Sequence, residues 1–173
     1  MKNLQDLEEE VRRYRELVAS APEKHKPDLA SSLNNLAVRL AEMGRREEAL
    51  ETSHEATTIY RNLAEKVPEA YMPGLASTLD NLANLHANQG QLSRAESEAL
   101  EALNIRERYL GKESKATLAS RSNLGSILRD LGRLDEAERM LQKTLDDSQR
   151  ILGPDHPTTL ISQDRLARLL ERQ

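Results

Sequence analysis

The sequence predicts an all-α protein in which about eight helices stack as antiparallel hairpins into a solenoid. Three observations, all in phase, predict it. Four segments, LASSLNNLAVRLAEMG, LASTLDNLANLHANQG, LASRSNLGSILRDLG and LISQDRLARLLERQ, align on the anchor leucines Leu36, Leu82, Leu124 and Leu166, at steps of 46, 42 and 42 residues. A small residue follows each anchor: Ala37, Ala83, Gly125 and Ala167. Gly44, Gly90 and Gly132 stand eight residues beyond the first three anchors, and Ala49, Ala95 and Ala137 five residues beyond those glycines. Self-similarity at a fixed period marks units that bury their apolar faces against their neighbours.

The elements follow in chain order. Tyr14 and Leu17 match Tyr60 and Leu63 at a step of 46, so residues 1–21 read as a second helix without its first. Residues 27–66 form the first full unit. There Leu29, Leu33, Leu36, Ala37 and Leu40 make one apolar stripe at helical spacing. Gly44 ends that helix, because glycine takes the left-handed conformation a tight stop requires. Ala49, Leu50, Ala56, Ile59 and Leu63 line the second helix. A short link forces the two helices antiparallel, and the small residues let their backbones approach. Residues 72–110 and 115–152 repeat the plan, and 157–173 read as a first helix without its second. No linker interrupts this single array over 1–173. All six prolines are expected between units, since one inside a helix costs about 3 kcal/mol. Of seven glycines, Gly74 alone has no repeat role in this reading.

Composition narrows the function. Aromatic residues make up 2 % of the chain, so the core must come from Leu, Ala, Ile and Val, which suits thin layers of closely packed helices. Charged residues make up 31 %, with both signs mixed and a net charge of −4, which gives no long-range attraction for nucleic acid or an anionic membrane. No apolar run is long enough to span a bilayer. The acidic start MKNLQDLEEE lacks a secretory h-region, leaving the cytoplasm as the default location. Cysteine is absent, so no disulfide or thiolate metal site is expected. Metalloprotease, phosphate-loop, dinucleotide and nucleophile-elbow motifs are missing, and neither an enzyme nor a cofactor is expected. His25 and His156 fall in loops, His54 on a second helix, solvent-facing or lightly packed, and His86 at the position of Leu40 and Leu128; His86 and His156 read as structural. The adjacent pairs Glu47–Glu48 and Asp146–Asp147 diverge on their helices and read as solvated.

The Asn-Leu-Ala, Gly and Ala spacing resembles the tetratricopeptide repeat, in units longer than its usual 34 residues. LGPDHPTTLISQDRLARLL is similar to the longer repeats of kinesin light chain and of bacterial and fungal signalling proteins, and AEKVPEAYMPGLASTLDNLA to repeats of large bacterial multidomain proteins. The resemblance implies a right-handed superhelix whose first helices line a concave groove. Carried over residue by residue, the groove positions are Asn34, Asn35, Val38 and Glu42; then Asp80, Asn81, Asn84 and Asn88; then Ser122, Asn123, Ser126, Arg129 and Asp130; and finally Asp164, Arg165, Arg168 and Arg172. Asn35, Asn81 and Asn123 recur. An amide has both donor and acceptor and can satisfy the backbone of an extended peptide. The alternative is that these amides bond neighbouring helices or sit solvated. The arginines at the last positions imply a preference for acidic residues at one end of a ligand. The groove lacks the lysine set by which family members clamp a terminal carboxylate.

Two functions follow. The first is a protein- or peptide-binding adaptor module within a larger signalling or scaffold protein. The second is a structural module that packs end to end with its own copies or against other domains, through Leu4, Leu7 and Val11 at one end and Ile161, Leu166, Leu169 and Leu170 at the other. The change from a 46- to a 42-residue step also fits an engineered repeat fragment.

Overall fold

The computed structural model describes residues 3–171, and among them it has eight helices and no strand. The helices are α1 Leu4–Ser20, α2 Pro22–Glu42, α3 Arg46–Lys66, α4 Pro68–Asn88, α5 Leu92–Leu110, α6 Lys115–Asp130, α7 Leu134–Leu152 and α8 Pro157–Leu170. They gather into two compact units, one reaching to Leu85 and the other beginning at His86, so the division falls inside α4.

The hairpin turns are built as the glycine spacing requires. Gly44, Gly90 and Gly132 have φ of 76°, 75° and 80°. At each, the next residue donates its N–H back into the helix: Arg45 to the Leu40 carbonyl at 2.9 Å, Gln91 to His86 at 2.9 Å and Arg133 to Leu128 at 3.0 Å. These bonds satisfy carbonyls that a helix end leaves without partners.

The two step lengths have a structural cause. In the first unit α1 meets α2 through Ala21 alone, and α3 meets α4 through Val67 alone, with Pro22 and Pro68 opening the following 21-residue helices. In the second unit the first helices are shorter, 16 residues in α6 and 14 in α8, and four-residue links precede them. Gly111 and Gly153 end the preceding helices, and the hydroxyls of Thr117 and Thr159 donate to their carbonyls at 2.7 and 2.8 Å. These bonds tie each link to the helix it introduces.

One expectation fails here. Pro27 and Pro73 lie inside α2 and α4, each the sixth residue of its helix, and not between units. Each stands just past the first turn, where the N–H groups of His25 and Tyr71 already bond the Ala21 and Val67 carbonyls, so each forfeits one backbone bond close to the helix start. Gly74 also gains a role. A Cβ there would lie 2.5 Å from Cε1 of Tyr60, so the missing side chain is the seat of that ring. Burial pushes the Tyr60 phenol above its ordinary pKa, against an opposing hydrogen bond with Ser31.

In the first unit the core joins Leu7 and Val11 of α1 to Leu29, Leu33, Leu36 and Leu40 of α2, Ala49 and Ala56 of α3 and Leu85 of α4. Each buried leucine contributes about 1.5–3 kcal/mol. In the second unit Leu118, Leu124, Ile127 and Leu128 of α6 are buried with Leu141 and Leu145 of α7 and Leu166 and Leu169 of α8. Gly125 stands where a Cβ would meet Leu141 at 2.7 Å, which gives the expected packing role a partner. His86 is buried, and its Nδ1 lies 2.8 Å from Oε2 of Glu98, a polar substitute for the leucine found at that position in the other hairpins.

Candidate peptide-binding faces

The first unit presents the predicted positions of α2 and α4. Asn35 and Asn84 are exposed, and Val38 stands beside Asn35 on α2, 39 % exposed. Asn81 donates its Nδ2 to Oδ1 of Asn34 at 2.7 Å, so this pair does bond across helices. The bond still leaves the Asn81 oxygen and the Asn34 amino group for an outside partner. Asp80 does not join the face: it is buried, in a stretch of α4 where Thr78, Leu79 and Leu82 are buried too. Glu42 is exposed and pairs with Arg39 at 2.9 Å.

The second unit presents Asn88 at the end of α4, then α6 and α8. Asn88 is exposed and Asn123 is half-buried. Ser122 departs from expectation. It is 1 % exposed, and its hydroxyl accepts from that of Ser162 at 3.4 Å, so it is a small residue at the α6–α8 seam and not a ligand contact. Ser126 donates to the Ser122 carbonyl at 3.4 Å. Arg129 bonds Asp130 at 2.8 Å, Arg168 pairs with Asp164 at 2.8 Å, and Arg165 is half-buried. Carboxylates on the same helices therefore offset part of the predicted basic cluster. Arg172 lies outside the described residues.

The positions expected to form bare ends divide sharply. Leu7, Val11, Leu166 and Leu169 are buried, the first pair against α2 and the second within the packing of α8, and Leu4 is half-buried. Those four are core and offer no surface. Ile161 and Leu170 are about half exposed, as is Leu160, which the sequence reading missed. Its signal was available: Leu160 and Leu170 stand one 42-residue step after Leu118 and Leu128, both buried.

Among the described residues no cluster of three His, Asp or Glu side chains is placed to hold a metal ion, and no helix is long and apolar enough to cross a membrane. The pattern of the tetratricopeptide repeat matches residues 29–66, 75–114 and 117–158. No curated protein matches the chain in sequence. Among solved structures, the chain is similar to BtubC (BKLC) from P. vanneervenii, with a TM-score of 0.71 and 21 % identity over 98 % of this chain and 70 % of that one. It is also similar to the nearly identical TPR-like repeats of a Podosopora anserina protein assigned as a kinesin light chain, with TM-scores of 0.70 and 0.68 in two crystal structures. Identity to these is 24 %, over 97 % of this chain and 80 % of those.

Proposed function

The chain belongs to the tetratricopeptide repeat family, whose repeats generally mediate protein–protein interaction, and on that premise we propose that it binds an extended peptide or partner protein on the polar faces of its first helices. The observation that carries the reading is the set of exposed or half-exposed amides at repeat positions: Asn35 and Asn84 beside the Asn34–Asn81 pair, and Asn123 on α6. A scaffold or adaptor role within a cytoplasmic signalling protein follows from the same reading. Affinity should be of micromolar order, because a short peptide covers less area than a standard interface. The test is an array of extended peptides screened against the protein. Changing Asn35 and Asn123 to Ala should weaken any captured peptide at least tenfold and leave the melting midpoint unchanged. Retained binding in that double variant would remove these faces from the site. Reversing Arg165 and Arg168 to Glu should reduce a preference for acidic residues; if it does not, the α8 part of the assignment falls.

A second reading, self-assembly, has its own observation in the apolar side chains of Leu160, Ile161 and Leu170 on α8. The partner face is α8 of a second copy and not α1. At the register where α3 buries Ala49 and Ala56, α1 carries Asn3 and Glu10, which would oppose an apolar surface. Contact through one shared patch is isologous and closes as a dimer. Sedimentation at rising concentration should show monomer passing to dimer, and Leu160→Glu with Leu170→Glu should abolish the shift. A monomer at hundreds of micromolar rules this reading out.

A further inference from the structure

We propose that the cleft between α5 and α7 is a docking site for a short acidic segment carrying one aliphatic anchor, separate from the first-helix faces. The cleft holds about 470 Å³, with Leu103, Leu128 and Met140 as its apolar lining. That volume lies within the range of small-ligand pockets, about 300–1,000 Å³.

The charges around it divide into committed and open. Arg121 is buried; its Nη1 donates to Asp147 at 2.9 Å, and its Nη2 donates to the Lys112 carbonyl at 3.2 Å and lies 3.5 Å from Glu107. Glu136 accepts from Arg133 at 2.7 Å, a bond that holds its carboxyl below the usual carboxylate range. Both rim carboxylates are therefore engaged from within the protein. Lys112, Arg139 and Lys143 line the same cleft and are exposed. Arg139 commits its Nε to a backbone carbonyl, that of Asp135, at 3.1 Å, and its attraction to Glu136 is shared with Arg133. The cleft's own lining thus sets Lys112, Arg121, Arg139 and Lys143 against Glu107 and Glu136, a net positive charge over an apolar floor, while Asp135, Glu138 and Asp146 share a neighbouring hollow with Arg139 and Lys143.

This charge is not a property of the repeat. Aligned on Ala137, Ala95 and Ala49, the positions of Arg139 and Lys143 are Ser97 and Glu101 on α5, and Glu51 and Glu55 on α3. The matching cleft of the first unit, about 410 Å³ between α1 and α3, has Glu51 on its rim. The whole chain carries −4, so an acidic segment is drawn by this rim and not by net charge. The rim cations select carboxylates, and the floor selects an aliphatic side chain.

The test uses a fluorescein-labelled Glu-Glu-Leu-Glu-Glu peptide and its Gln-Gln-Leu-Gln-Gln counterpart, read by anisotropy at low and physiological salt. The acidic peptide should bind at least tenfold more tightly, weaken with salt, and shift the Met140 methyl resonance. Arg139→Glu with Lys143→Glu, both exposed positions, should weaken it at least tenfold with helical content unchanged. Asn35→Ala with Asn123→Ala should leave it unchanged, whatever becomes of the first-helix reading. The inference is overturned by no binding at millimolar peptide, by equal binding of the neutral peptide, by full binding in the charge-reversed variant, or by loss in the asparagine variant. Binding to phosphatidylserine vesicles without binding to the peptide would also overturn it.

Discussion

Replacing Gly125 with Leu should destabilise the protein by about 3 kcal/mol, the upper part of the range for overpacking a closed core. For a chain of this size that is a fall in melting midpoint of about 6–12 °C. Any side chain at this position begins inside Leu141, whose Cγ and Cδ2 would stand 2.7 Å from the new Cβ. Leu141 has no exposed surface, and a close-packed interior leaves a buried side chain little room to move. The companion change Leu141→Ala should cost about 2–5 kcal/mol alone by leaving a cavity. Because each change vacates or fills the same space, the double variant should be clearly less destabilised than the sum of the two. Thermal unfolding of the four proteins measures the cycle. Strict additivity would mean that α6 and α7 do not meet at this pair.

Gly125 and Leu141 also show how much of the fold the residues announce before any coordinates. The anchor leucines Leu36, Leu82, Leu124 and Leu166 are all buried, and the hairpin glycines all have positive φ. Both are local consequences of spacing: period decides which side of a helix is covered, and a tight stop demands a left-handed residue. Helix starts were less legible. Pro27 and Pro73 look like breakers, yet each lies inside a helix as its sixth residue, where it forfeits a single backbone bond. Gly74 was opaque because its reason is Tyr60, a residue of another helix.

The candidate faces were legible to the same depth. Spacing put Asn34, Asn35, Asn81 and Asn84 on exposed or half-exposed positions. It did not reveal that Asn81 bonds Asn34, nor that Ser122 meets Ser162, since both depend on how helices lie against each other. Leu7 and Leu169 were misjudged for the same reason. α1 packs on α2, and α8 on α6 and α7, and these neighbours cover the strongest apolar positions, while Leu160 and Leu170 stay about half exposed.

Arg121 is the side chain least legible in the residues around it, and changing it to Met should cost about 2 kcal/mol. In LASRSNLG it looks like an ordinary surface arginine. In the fold its side chain is 10 % exposed, bonded to Asp147 and to the Lys112 carbonyl, and so it ties α6 to α7 and to the link after α5. Breaking a fully buried ion pair by removing one partner costs about 3–5 kcal/mol. Here the cost is smaller because Asp147 and Glu107 are partly exposed, and because Asp147 retains a second contact, Arg150 at 3.2 Å. Lysine should not restore the loss, since one ammonium cannot reproduce the fork that reaches a carboxylate and a carbonyl together. Asp147→Asn in the Arg121→Met background should recover part of it by removing the stranded charge. Arg150→Met is the control: its guanidinium is mostly exposed, and such pairs contribute little. Urea denaturation should therefore shift for Arg121→Met and stay in place for Arg150→Met. Equal midpoints for the two variants would make Arg121 a surface residue after all.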